Sequence, residues 1–162
     1  MLAMRLIKLI ETHAESLTRE VAEDLHHNEH TPSFRRISTG ELESRILRLY
    51  QHLGNWIGEP NDAAVRAEYE EWGRSRAHHA VPLSELVYAV ILTKKHLRKY
   101  IREHANIIFS GDVVTPGEFI PVELYSIQEL NYTVGDFFDR ALYYLMRGHE
   151  QVADSKRMAV KA

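Results

Sequence analysis

The segment Glu23-Asp24-Leu25-His26-His27-Asn28-Glu29-His30 is the densest run of metal-ligating side chains in the sequence. Glu23 and His26 have the i, i+3 spacing of half a di-iron bundle motif. His26 and His30 lie one helical turn apart, a spacing that can chelate a metal on a helix face. A di-iron site needs a second Glu-x-x-His and two more inward glutamates, and no second copy occurs. The run also falls where a first helix should end, and histidines suit the dipole there. A solvated helix end is the expectation, and Glu23, His26 and His30 are only weak metal candidates.

Ten histidines also raise haem, which needs an axial histidine in an apolar pocket. His13 projects onto the apolar face of the first helix, where a satisfied core histidine is the commoner outcome. His96 projects away from its helix's apolar stripe, toward solvent or a partner. A haem- or metal-binding helical domain therefore stands as the alternative reading, and no cofactor is expected. Nucleophilic chemistry has little support, since no G-x-S-x-G, P-loop, G-x-G-x-x-G or H-E-x-x-H occurs. Asp136 and Asp139 are i, i+3 neighbours that project off the apolar stripe, as solvated acids do.

The more telling residues are charges on apolar faces. Lys94 projects near the centre of a stripe made by Leu83, Leu86, Val87, Val90, Leu97 and Ile101. Arg76 and Glu123 share that inward projection on their own helices, and Asn131 lies near the stripe of the last one. A lone buried charge costs several kcal/mol, so each must pair, hydrogen-bond, reach water or hold a ligand. Counting back along an antiparallel hairpin sets Lys94 opposite Asn131 and Glu123 nearer Arg102. Lys94, Asn131, Arg76 and Glu123 are thus candidates for ligand contacts or for a buried polar layer. The outward run Lys95-His96-Arg98-Lys99-Tyr100-Arg102 reads as a solvated face, with a partner surface as the other possibility.

These residues ride on helices almost throughout. Apolar spacing of 3.6 predicts a first helix over about Leu2–His27, ended near Pro32. Ser38-Thr39-Gly40-Glu41 is a capping box opening a second helix to about Ile57. Asn61 or Asp62 caps a third, carrying Val65, Tyr69, Trp72 and Arg76. Pro82 opens a fourth that runs to about Phe109. Ser110-Gly111-Asp112 forms a turn and Val113-Val114 a short extended piece. Thr115-Pro116-Gly117-Glu118 opens a fifth, which continues past Gly148 as a polar tail. The expectation is an all-α fold: one domain over 1–162, a bundle of about five helices or globin-like packing, with a linker-like tail from about 149.

Bulk properties narrow the partners. The chain has 162 residues, 44% hydrophobic and 27% charged, which fits a packed core rather than disorder. A net charge of −3 argues against nucleic acid as the main partner. No cysteine is present, which removes thiolate chemistry and cysteine zinc sites. No run approaches the ~20 apolar residues of a membrane span, and the N-terminal segment lacks a secretory core. A cytoplasmic protein is expected.

The stretch from Trp72 through Ile101 resembles the RsbRD-type N-terminal sensory domain of RsbT co-antagonist proteins. Similar domains stand ahead of histidine kinase and PucR-like outputs. The residues that carry the likeness are Gly73, Arg74 and Arg76, then Val81-Pro82-Leu83-Ser84-Glu85-Leu86, then Lys94-Lys95, where the family often has arginine. Upstream SFRRISTGELESRILRLYQHL and downstream LNYTVGDFFDRALYYL are also similar, so the likeness spans about Phe34 to Leu145. The resemblance implies an all-helical, non-enzymatic input module of bacterial stress signalling. It implies a protein partner or output domain and a homodimer, with no ligand specified. Such domains usually precede an output domain, so the chain is expected to be a piece of a longer protein or a stand-alone version.

Overall fold

The computed structural model describes residues 2–58, 62–109 and 120–162, with side chains over 4–57, 62–104 and 124–162. Within them the chain forms α1 (Leu2–Thr12), α2 (Ala14–His27), a short 3₁₀ turn (Pro32–Arg36), α3 (Thr39–Gly58), α4 (Ala63–His78), α5 (Leu83–Phe109) and α6 (Ile120–Lys161). The fold is an all-α bundle, and no strand occurs among the described residues. The turn, extended piece and helix start expected over 110–118 lie outside the described residues.

The expected first helix is two helices. The backbone leaves helical geometry at His13 (φ −101°, ψ 15°), and the His13 ring bonds back to the Leu9 carbonyl at 2.9 Å. His13 is exposed and not a core residue, because the break turns it off the apolar face. Both halves still bury one stripe: Leu6, Ile7 and Ile10, then Leu17, Val21 and Leu25. Both pack against α3, whose buried face is Leu42, Ile46, Leu49, Tyr50 and Leu53.

Half of the predicted capping box forms. The Glu41 amide donates to Ser38 Oγ at 3.2 Å. The Glu41 carboxylate instead accepts from Arg76, a charge-assisted partner stronger than a neutral amide. The corner between α4 and α5 closes with Ala80 at φ 56° and a Val81 N–H bond to the Arg76 carbonyl at 3.0 Å. That geometry is one glycine ordinarily fills.

Helix α6 is the spine. It touches α1, α3, α4 and α5 and buries Leu130, Val134, Phe137, Phe138, Ala141, Leu145 and Val152. Its closest neighbour is α4, met at two glycines. A Cβ on Gly73 would lie 2.9 Å from the His149 nitrogen, and one on Gly148 2.7 Å from the Glu70 carbonyl carbon. Backbone packs on backbone there, which only glycine permits. The expected polar tail is helix, packed through Val152 and exposed from Asp154 onward. No helix among the described residues is long and apolar enough to cross a membrane.

Candidate functional site

Polar side chains collect where the loop before α3 meets the corner between α4 and α5. Pro32 starts the 3₁₀ turn, and Phe34 anchors it in the core. Thr31 Oγ1 donates to the Leu25 carbonyl at 2.7 Å and closes the end of α2. Ser33 donates twice to Glu85, from its amide at 2.7 Å and its hydroxyl at 2.9 Å. Glu85 sits in the first turn of α5, where the helix dipole favours an acid. Both residues are buried, so the carboxylate is compensated where it would otherwise be costly.

Arg76 lies at the end of α4, where its carbonyl accepts from the Val81 amide of the same corner. It is 2% exposed, and its Nη2 donates to Glu41 in the first turn of α3. Among the described residues its Nε has no hydrogen-bond partner, so the guanidinium is only partly satisfied there. His149 of α6 bonds to the Val81 carbonyl at 2.8 Å. A carbonyl only accepts, so Nε2 carries the proton. The beginning of α3, the end of α4, the beginning of α5 and the middle of α6 are thereby tied into one polar seam. Both of its acids are committed to donors, Glu85 to Ser33 and Glu41 to Arg76. The arrangement couples helices.

A second junction joins α2 to α5. His96 Nε2 bonds to Asp24 Oδ2 at 2.8 Å, and Nδ1 lies 3.9 Å from Glu20. Partial burial pushes the Asp24 carboxyl up, but hydrogen bonds from His96 and Asn28 and the nearby Lys95 charge more than offset it. Asp24 therefore sits below its ordinary value, ionised, and His96 Nε2 must be the donor. His96 does not face open solvent as its helix projection suggested. It lies in the groove between helices, with Nδ1 buried and, among the described residues, without a hydrogen bond.

The inward charges part ways. Arg76 is buried. Lys94 is half-buried, its side chain 27% exposed, and pairs with Asp139 at 3.3 Å rather than with Asn131. It lies at the edge of the α5 stripe, where the groove beside α6 opens to water. Asn131 bonds to the Ile127 carbonyl of its own helix at 3.1 Å. The Glu123 side chain lies outside the described residues. Arg76 and Lys94 thus belong to different regions, and no single polar layer collects them.

The metal candidates also separate. His26 bonds to the Ile37 carbonyl at 3.1 Å, the His30 ring packs tilted against Tyr88 with centroids 4.7 Å apart, and Glu23 is exposed. Among the described residues no group of three or more such side chains is placed to hold a metal. Sequence reasoning missed Ser33–Glu85 and Asp24–His96. The acid in the first turn after Pro82 was the only local hint of either.

No curated protein and no solved structure matches this chain. One family does, the RsbT co-antagonist protein rsbRD N-terminal domain, over residues 9–114. Those residues include the whole seam except His149 and both sides of the Asp24–His96 junction. The chain belongs to that family, a regulatory family of stress-response signalling.

Proposed function

We propose that this chain is a non-enzymatic, cytoplasmic input module of stress-response signalling. It is read as one helical domain that engages a protein partner or output domain, pairs with a second copy of itself, and relays a signal by helix repacking. Family membership supports the regulatory part of the reading. The observation that carries the relay is α6. One helix of 42 residues touches four others in the body and emerges as exposed helix from Asp154 to Lys161. A shift at the seam therefore moves a rod whose far end stands clear of the core. Helices need not bend to transmit such a shift, because packed interfaces switch between discrete arrangements.

Phase insertion tests the relay. One residue inserted between Val152 and Ala153 turns the exposed end by ~100° relative to the body, and seven nearly restore its phase. In cells carrying a stress-response reporter, the single insertion should abolish or invert the response and the seven-residue insertion should retain it. A normal response from both insertions sinks the relay.

A further inference from the structure

The outward faces of α5 and α6 carry opposite charge. On α5 the exposed stripe is Ile91, Lys95, Arg98 and Arg102. Arg98 and Arg102 take no carboxylate among the described residues, and Lys95 only lies near Asp24. On α6 the exposed stripe is Glu129, Tyr132, Asp136, Asp139 and Tyr143. Tyr132 is 76% exposed and Ile91 47%. Asp139 uses one oxygen on Lys94, and Asp136 one oxygen on Arg140.

The two helices lie side by side and antiparallel. His149 meets Val81, and ten residues back along α6 Asp139 meets Lys94, thirteen forward along the chain toward and into α5. Continuing that register brings Arg98 level with Gly135. Gly135 lies mid-helix, where glycine weakens a helix. A Cβ there would meet nothing within 4 Å. Gly73 and Gly148 have a reason within the chain, but among the described residues Gly135 has none.

We infer that the α5–α6 face docks on the same face of a second copy, with the two-fold axis beside Gly135. A two-fold axis that runs along the antiparallel helix pair, between α5 and α6, lays α5 of one copy on α6 of the other, and the reverse. Lys95, Arg98 and Arg102 then fall on Glu129, Asp136 and Asp139 of the second copy. Ile91, Tyr132 and Tyr143 supply apolar contact, and Gly135 admits the close approach at the centre. The face spans about 21 Å along α6 and two helices across, on the order of 400 Å². That is about half of the ~800 Å² per partner of a standard interface, the size of a weak, salt-sensitive pairing. The inference rests on the self-pairing in the proposed function and names its surface.

Light scattering and sedimentation equilibrium of this chain test it, with circular dichroism confirming the fold of each variant. The wild type should be a dimer that weakens as salt rises. Arg98→Glu and Asp136→Lys should each weaken it about tenfold or more, and the two together should recover most of that loss. Gly135→Leu should also weaken it about tenfold or more, without lowering the melting temperature of the diluted monomer. A salt-insensitive dimer unmoved by all these changes overturns this surface but leaves self-pairing standing. A monomer at every concentration overturns both.

Discussion

Gly73 of α4 and Gly148 of α6 mark a backbone-on-backbone crossing, where each helix presses a glycine against the other's backbone. Backbone cannot give way as a flexible side chain can. Gly73→Ala and Gly148→Ala should each force the helices apart and cost about 1–3 kcal/mol or more, as overpacking does. Urea unfolding measures the cost. A midpoint unchanged in either variant would show that the crossing is looser than these positions imply. Gly135→Ala is the control, since its Cβ would enter open space.

Arg76 and Glu41 should show strong, asymmetric coupling. Glu41→Ala leaves a buried guanidinium with no anion, and breaking such a pair costs about 3–5 kcal/mol when both partners are buried. Glu41 is 47% exposed and water can partly replace it, so about 1–3 kcal/mol is expected. Arg76→Met removes the charge with its burial cost and should be milder. The double variant should be more stable than Glu41→Ala alone. A double-mutant cycle by chemical denaturation reads this directly, and simple additivity of the two losses would refute it.

Asp24 sets a pH dependence whose sign is fixed. Its carboxyl is lower in the folded chain than in an unfolded one, where about 3.9 is usual. Its contribution is therefore complete above the unfolded value and is lost as pH falls through the folded value. Asp62 shares the sign: hydrogen bonds from Tyr144 and Arg140 hold it down against slight burial. Melting temperature should fall below about pH 4. Asp24→Asn should cost about 1 kcal/mol at neutral pH and flatten that acid limb. Melts by circular dichroism from pH 2 to 7 check both, and parallel acid limbs in variant and wild type would refute the Asp24 assignment.

Much of the fold was legible locally. The 3.6-residue spacing and the proline and cap residues located α3, α4 and α5 within a few residues, because those signals act within one turn. The His13 break escaped notice, since no proline or glycine announces it and neighbouring packing decides it. The candidate site was legible only in part. Arg76 was found because a charge amid Val65, Tyr69 and Trp72 has no other face to occupy. Its partner Glu41 was visible only as half of a capping box.

By itself the sequence determined an all-helical chain without thiol chemistry, and its motifs pointed to the family that residues 9–114 match. Tertiary structure alone decided which charges are buried and what they meet. A helical projection orders residues around one axis but does not know how many helices surround it. Arg76 has neighbours on every side and is sealed, whereas Lys94 sits where the groove between α5 and α6 opens and reaches Asp139. Ser33 and Glu85 are 52 residues apart and meet only because the 3₁₀ turn folds onto the first turn of α5. Such contacts depend on chain paths that local spacing does not encode.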